Sequence, residues 1–299
     1  FSHPFCGGDA YPLFWNNLGP GVGASFMGGG YQLAENTIWF DVAPIIKDWD
    51  HMPDIAFNED SEMWQRLNAM SERLCREAKG QYEVGLTDIG GNLDIAVSLR
   101  GNDTLLFDLY DHPEEVKALV ARVDDIWMQI YEKHLAQINR YMDGVNAWMG
   151  IWCEKRWYPL QCDFSAMISA DMFDEFVAPS LRREADFLDC AIYHLDGPGE
   201  IKHLDTLLGI DGITGIQCVP GSALFKDTGE FHPTFCNDTW MPVMKKIQAS
   251  GKNLVLHEVH PSELTDLMDN LSAKGLYIAT AGKSEEEARY LLKKAEKWR

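Results

Sequence analysis

The chain has 299 residues, 46% of them hydrophobic, and a formal net charge of −20. Because binding to nucleic acid or anionic lipid depends on Lys and Arg that neutralise phosphates, this excess of acidic residues argues against both partners. The apolar fraction is ordinary for a globular protein and is sufficient for one large core.

The seven cysteines are scattered, without the paired spacings of a disulfide scaffold or a zinc ribbon. We therefore expect a reducing, cytoplasmic setting. No apolar run approaches the roughly 18 residues of a membrane span, and the start, Phe1 to Pro4, has no signal-peptide pattern. The chain lacks an initiator Met and opens with a Gly- and Pro-rich segment, which predicts that the natural protein has a further N-terminal portion.

Residues 1–80 contain Gly-rich turns around Gly28, a mixture of Trp, Phe and Asp from Trp39 to Trp49, and a helical pattern from about Ser61 to Lys79. This composition differs from that of the later chain. We interpret the segment as an N-terminal excursion that covers the mouth of a barrel.

From Gly80 onward, short β-branched or aromatic runs alternate with amphipathic stretches, which is typical of βα units around a parallel sheet. Seven strands are predicted: Tyr82–Asp88, Ala147–Cys153, Leu160–Phe164, Cys190–Asp196, Gly212–Val219, Leu254–Val259 and Leu276–Ala281. An eighth strand is expected in the first eighty residues. The sequence thus predicts an α/β fold, a (β/α)8 TIM-type barrel, as a single domain over residues 1–299 with main βα units at 81–299.

The intervening helices carry start signals. Pro113 suits a first helical position, and apolar residues recur at three- and four-residue steps to about Tyr141. Ser169 is the predicted N-cap of a helix that ends near Asp189 and is kinked at Pro179. The predicted N-caps of the last two helices are Ser262 and Ser284.

Active sites of β/α barrels lie at the carboxyl ends of the strands, so polar residues there are the candidates. The predicted catalytic residues are His194, Asp196, Asp88 and Asp163. The predicted substrate-binding residues are Asn92, Trp152, Trp148 and Trp39. The tryptophans are interpreted either as core or rim residues or as an apolar wall for a planar or methylated ligand.

His194 is the central candidate because it ends an apolar run and precedes a loop rich in Gly and Pro. Asp196 would share its face if the strand continued that far, although an Asp-Gly turn is the alternative. The predicted metal ligands are His194, Cys218, His257, Glu258 and His260, which offer the ligand types of a catalytic zinc site. Their spacing forms no specific motif. Cys218 could equally be a core residue, and His260 a helix-start hydrogen bonder.

Several segments resemble the uroporphyrinogen decarboxylase superfamily over about residues 80–299. They are Tyr193–Gly197, Leu204–Ile213, Gln217–Gly221, Leu160–Asp163 with Ile168–Pro179, and Val259–Pro261. The resemblance implies a β/α barrel, a homodimer, and either tetrapyrrole decarboxylation or cobalamin-dependent methyl transfer. In the methyltransferases of that superfamily, a zinc-bound thiolate receives a methyl group from a corrinoid protein.

Departures from the family decide between these activities. His194-x-Asp196 stands where the methyltransferases have His-x-Cys, and the last strand has no Cys. The run Tyr277 to Gly282 lacks the His of the decarboxylases, and clustered cations for a polycarboxylate are few. We therefore predict a corrinoid-linked methyltransferase that acts on a small methylated compound, with Zn²⁺ as candidate metal and methylcobalamin presented by a corrinoid-binding partner protein. The alternatives are a decarboxylase or other lyase acting on a carboxylated small molecule or tetrapyrrole, and a non-catalytic protein that binds a tetrapyrrole or methylamine.

Overall fold

The computed structural model describes residues 5–35, 37–40, 43–221 and 234–298. Residues Phe1 to Pro4 and two residues of the Trp39–Trp49 segment lie outside these ranges. The chain divides into two compact units, a large unit of Leu13–Cys190 and a C-terminal unit of Ala191–Arg299 with Phe1–Pro12. The boundary after Cys190 differs from the predicted boundary between the N-terminal segment 1–80 and the βα units 81–299. The assignment of residues 1–299 to a single domain stays a prediction.

The large unit is a mixture of short strands and longer helices. Its strands are β1 (Leu13–Trp15), β2 (Gln32–Leu33), β3 (Ile38–Trp39), β4 (Glu83–Gly85), β5 (Val145–Asn146), β6 (Trp152–Cys153) and β7 (Trp157–Leu160). Its helices are α1 (Gly23–Phe26), α2 (Glu62–Ala78), α3 (Asn92–Arg100), α4 (Asn102–Asp111), α5 (Pro113–Ile138), α6 (Ala170–Phe176) and α7 (Ala178–Phe187). A 3₁₀ turn covers Asp163–Met167. β1 runs parallel to β4, whereas β2 with β3 and β5 with β6 are antiparallel pairs.

Local sequence signals explain most of these helix boundaries. The Ser61 hydroxyl accepts a hydrogen bond from the Trp64 N–H and so caps α2. Pro113 opens α5 as predicted. The predicted kinked helix after Ser169 is two helices, α6 and α7, which are separated at Val177. The break follows from Pro179, which lacks an N–H and clashes with the carbonyl four residues earlier.

The C-terminal unit contains a parallel sheet in the order β8, β9, β10, β11. These strands are Cys190–Asp196, whose first residue ends the large unit, Ile213–Val219, Asn253–Val259 and Leu276–Thr280. Its helices are α8 (Leu204–Leu208), α9 (Trp240–Ala249), α10 (Leu264–Asn270) and α11 (Glu285–Ala295). Two 3₁₀ turns cover Pro198–His203 and Pro261–Glu263. The strands alternate with helices, as the sequence predicted.

The strand alternation of the C-terminal unit gives its sheet two distinct faces. On β8, Ala191, Tyr193 and Leu195 are buried on one face, while His194 and Asp196 lie on the other. The register pairs His194 with Gln217 of β9 and Leu195 with Cys218. The polar face of this sheet therefore carries the candidate chemistry.

Three boundary predictions can be compared directly. β8 has the predicted bounds, and Ser284 caps α11 as predicted by accepting from the Glu287 N–H. The prediction for Ser262 is wrong, because His260 rather than Ser262 supplies the cap at this point by accepting from the Ser262 N–H. The mixed α/β class is confirmed. Among the described residues, no helix combines the length and apolarity that crossing a membrane requires.

Candidate functional site

The chain after β4 places a buried carboxyl group at a strand end. β4 ends at Gly85, and Asp88 follows three residues later with only 8% of its surface exposed. Its Oδ1 accepts hydrogen bonds from the Gly90 N–H at 3.0 Å and from Gln161 Nε2 at 3.4 Å. Among the hydrogen bonds of the described residues, none reaches Oδ2 of Asp88. Oδ2 is therefore the oxygen best placed to carry a proton.

A second carboxyl group, that of Asp94, lies in the first turn of α3. Its two oxygens accept the backbone N–H groups of Phe164 at 2.9 Å and of Asp163 at 3.1 Å. These bonds fix the start of the 3₁₀ turn that carries Asp163, whose side chain is exposed. Gly91 is required beside this contact, since a Cβ there would lie 2.1 Å from the Gln161 carbonyl oxygen.

Both carboxyl groups hold protons more strongly than usual. Burial, and secondarily the charge of Asp163, raises the pKa of Asp88 to about 7. The same two causes raise the pKa of Asp94 to about 7, although its two backbone hydrogen bonds oppose them. At neutral pH this region can therefore both donate and accept a proton.

A groove of about 370 Å³ in the large unit is bordered by Asp94, Asp163 and apolar side chains, and Asp88 lies behind the lining residue Gln161, which donates to it. Its lining residues are Pro20, Gly21, Ile38, Trp39, Phe40, Asp94, Val97, Ser98, Asn102, Gln161, Asp163, Phe164 and Met167. Trp39 is 55% exposed and Met167 51%. The groove thus brings Trp39 and Asp163 together, two residues that the sequence had singled out, and it suits a small ligand with an apolar body.

Three predicted substrate-binding residues lie elsewhere. Asn92 is buried, and its Nδ2 donates to Asp124 and to the Ser180 hydroxyl, so it joins helices instead of facing the groove. Trp152 lies over the turn before β5, where a Cβ on Gly144 would be 2.6 Å from its indole ring. Trp148 is half-buried, with its ring 6.4 Å from that of Trp15.

The polar face of the C-terminal sheet holds a row of three hydrogen-bonded side chains from adjacent strands. His194 Nδ1 lies 2.6 Å from Gln217 Oε1, and Gln217 Nε2 lies 3.1 Å from His257 Nδ1. Gln217 is 2% exposed. The row fixes both imidazole rings relative to the sheet.

The Gln217 amide also selects opposite tautomers of the two histidines. Its carbonyl oxygen can only accept, so the neutral His194 ring carries its proton on Nδ1 and its lone pair on Nε2. Its NH₂ group donates to His257 Nδ1, which places the proton of that ring on Nε2. In this tautomer Nε2 is the nitrogen of His194 that a metal ion would bind.

The predicted metal ligands do not converge as a set. Cys218 lies on the opposite face from His194, is 1% exposed, and has a thiol pKa that burial raises. Glu258 is exposed at a bulge with a φ of 55°, and His260 is engaged by Ser262. Among the described residues of the C-terminal unit, no three of the candidates His194, Asp196, Cys218, His257, Glu258 and His260 bring ligand atoms within 4.8 Å of one another. Metal binding itself stays a prediction.

Sequence reasoning missed three residues of these regions, Gln217, Gln161 and Asp94. Gln217 interrupts the apolar strand Ile213–Val219 at a position that alternates with its buried neighbours, which is a usable signal. Gln161 lies two residues before Asp163, which is a predicted catalytic residue. Asp94 gave no signal, because an acidic residue in the first turn of a helix is ordinary.

Comparison with known proteins gives a structural likeness. A methyltransferase from Methanosarcina mazei superposes with a TM-score of 0.60 over 93% of this chain and 77% of its own, at 12% sequence identity. No protein-family model and no curated protein sequence matches the chain. At this identity the likeness concerns the fold alone, and the fold is shared over nearly the whole chain.

Proposed function

We propose that this chain is a methyltransferase that moves a methyl group between a small methylated compound and a corrinoid carried by a partner protein. The observation that carries the proposal is the fold shared with the Methanosarcina mazei methyltransferase. The proposal includes a complete (β/α)8 barrel, a homodimer and a cytoplasmic setting, all of which follow from the sequence resemblance and the cysteine pattern.

In this proposal the groove of the large unit binds the methylated compound. Trp39 and Met167 offer exposed apolar and aromatic surface to its carbon atoms. When a methyl group leaves an oxygen, nitrogen or sulfur atom, the electron pair of the broken bond remains on that atom, which then takes a proton. In this proposal Asp88, one hydrogen bond behind the lining residue Gln161, supplies it, because both of the hydrogen bonds described for its carboxyl group fall on Oδ1 and its pKa is about 7. Asp94 is less suited, since each of its oxygens accepts a backbone N–H.

The polar face of the C-terminal sheet supplies the candidate metal ligands. His194 offers the Nε2 lone pair, and Asp196 lies two residues further along the same face with an exposed carboxylate. Gln217 acts on His194 as an outer partner that fixes its tautomer. His194 and Asp196 would supply one nitrogen and one oxygen ligand to a zinc ion, whereas the thiolate-rich site of the methyltransferases that the sequence resembles does not fit, because Cys218 faces away. A bound zinc ion would supply Lewis-acid activation of the oxygen, nitrogen or sulfur atom that gives up or receives the methyl group.

Methyl transfer can be tested with free methylcobalamin as the probe. The purified protein, supplied with Zn²⁺, is mixed with methylcobalamin and a panel of small thiols and amines, and the visible absorbance of the corrinoid is followed. We expect accelerated demethylation, reduced by about 100-fold or more in His194→Ala. His260→Ala is the matched control and should retain the rate, since His260 Nδ1 accepts from the Ser262 N–H and so caps a turn. No acceleration by the unmodified protein with any acceptor would overturn the proposal.

Metal content is tested separately by elemental analysis. We expect stoichiometric zinc in the unmodified protein and in His260→Ala, and about 10- to 100-fold weaker retention in Gln217→Ala because the tautomer of His194 is no longer fixed. Absence of any stoichiometric metal from the unmodified protein would remove zinc from the proposal.

A second candidate function is decarboxylation of a small carboxylated compound. The raised pKa of Asp88 favours it, because a neutral carboxyl group can protonate the carbanion that remains when CO₂ leaves. Release of CO₂ from carboxylated pyrroles, lost in Asp88→Asn, would support this activity over methyl transfer. Ligand binding without turnover in either assay would instead indicate a binding protein.

A further inference from the structure

One buried phenol bridges the two peptide groups on either side of Asp88. The Tyr158 hydroxyl donates to the Thr87 carbonyl oxygen at 2.5 Å and accepts from the Ile89 N–H at 2.9 Å. Tyr158 lies on β7 and is 1% exposed. The ring is enclosed by Trp127 at 5.2 Å and Tyr131 at 5.8 Å between ring centroids, both in edge contacts. The hydroxyl therefore has a fixed position.

The bridged peptide groups lie beyond the part of the chain that strand pairing supports. β4 ends at Gly85, and the Leu86 N–H donates to the Asn146 carbonyl oxygen. Past this point the backbone is buried, and buried peptide groups need partners to avoid a desolvation penalty. The phenol supplies both partners at once, one residue before Asp88 and one residue after it.

Other contacts fix the same short segment. The Thr87 hydroxyl donates to the Asn16 carbonyl oxygen at 2.7 Å, and the Ile89 carbonyl oxygen accepts from the Gly23 N–H at 3.0 Å. Neither contact spans Asp88. Only the Tyr158 hydroxyl, among these, contacts the peptide groups on both sides of Asp88.

The bridge requires a neutral phenol, because a phenolate could not donate to a carbonyl. Burial, followed by the nearby Asp88, raises the pKa of Tyr158 well above its ordinary value. The hydroxyl consequently keeps its proton across the physiological range and holds Asp88 in place whether that carboxyl group is charged or neutral.

We propose that Tyr158 is a positioning residue that sets the orientation and the proton affinity of Asp88 by bridging the Thr87 and Ile89 peptides. It touches no substrate, and its effect is exerted through the backbone. The inference rests on the proposed role of Asp88 as a proton donor, but its structural part can be tested without any enzymatic activity.

The test is the titration of the Asp88 carboxyl carbon by ¹³C NMR, with the signal assigned by its loss in Asp88→Asn. In Tyr158→Phe, which keeps the ring and removes the hydroxyl, the strand end opens to water and the Asp88 midpoint falls by about one pH unit. Tyr131→Phe is the matched control. It removes an equally buried hydroxyl that donates to the Trp157 carbonyl oxygen, and it should leave the midpoint unchanged.

Once an activity has been found, its steady-state kinetics provide a second test. Tyr158→Phe should lower kcat about tenfold and shift its pH profile to match the NMR midpoint, with KM nearly unchanged. An unaltered Asp88 midpoint in Tyr158→Phe, or an equal shift in Tyr131→Phe, would overturn the inference. A shifted midpoint without activity on any substrate would contradict the proposed function alone.

If Tyr158→Phe does not fold, hydrogen exchange in the unmodified protein tests the bridge between Tyr158 and Ile89 instead. The Ile89 amide should exchange at least about 1000-fold more slowly than in an unstructured peptide, and an unprotected Ile89 amide would overturn the bridge.

Discussion

At the scale of single residues, the most informative group is the carboxyl of Asp88. It accepts hydrogen bonds from Gly90 and Gln161, yet burial and the charge of Asp163 still raise its pKa to about 7. Because burial disfavours the charged form, the folded state loses stability when Asp88 ionises. A residue that lowers the stability of the fold in this way is often retained for function.

This cost should be visible in the pH dependence of stability. In the unfolded chain Asp88 ionises near pH 4, whereas in the folded protein it keeps its proton up to about pH 7. Rising pH between these values therefore favours unfolding. We expect Asp88→Asn to raise the free energy of unfolding by about 1–3 kcal/mol at pH 8 and to have almost no effect at pH 4, as measured by urea denaturation.

Asp163→Asn is the companion variant for this measurement. Removing the Asp163 charge should lower the pKa of Asp88 and shift the pH window of the effect downward. A gain from Asp88→Asn of the same size at pH 4 and pH 8 would contradict the assignment.

At the scale of elements, a buried polar cluster joins three helices of the large unit. Asn92 of α3 and Ser180 of α7 donate to the same oxygen of Asp124 on α5, and Arg183 of α7 lies 2.9 Å from its other oxygen. Asp124 is 2% exposed. A buried carboxylate of this kind is tolerated only while its donors are present, so the cluster fixes how these helices pack.

Asn92 should accordingly act on stability. We expect Asn92→Ala to lower the free energy of unfolding by about 2–3 kcal/mol, since Asp124 loses a buried donor. Ser180→Ala should act in the same direction. Because both side chains serve one carboxylate, the double variant should deviate from additivity by at least about 0.5 kcal/mol in urea denaturation. Additive losses would show that the cluster does not work as a unit.

At the scale of the whole molecule, the net charge of −20 is the dominant property. Like charges repel one another in the compact state, and dissolved salt screens this repulsion over about 10 Å at 0.1 M. Many exposed ion pairs, such as Arg76 with Glu72, work against the trend because salt weakens them. Their contribution is small beside the excess of acidic groups.

We therefore expect the Tm at pH 8 to rise by several degrees when NaCl is increased from about 10 to 300 mM, as measured by calorimetry. The same increase near pH 5, where many carboxyl groups carry protons, should produce a smaller rise. A Tm that falls with NaCl at pH 8 would mean that surface ion pairs outweigh the repulsion.

The sequence by itself determined the class of fold and selected residues on which the proposed function rests. Local signals sufficed for β8, for the start of α5 at Pro113 and for the Ser284 cap, because each depends on residues within a few positions. The rule that active sites of β/α barrels lie at the carboxyl ends of strands selected Asp88 and His194, because a strand end can be recognised from a few neighbouring residues.

Only the tertiary structure decided which side chains share a face. The face that Cys218 occupies and the bond between Gln217 and His194 both depend on the register between strands 23 residues apart. A shift of one residue would exchange the two faces, and no local pattern specifies that shift. Asn92 likewise is a helix-joining residue only because Asp124 and Ser180, 32 and 88 residues away, fold beside it.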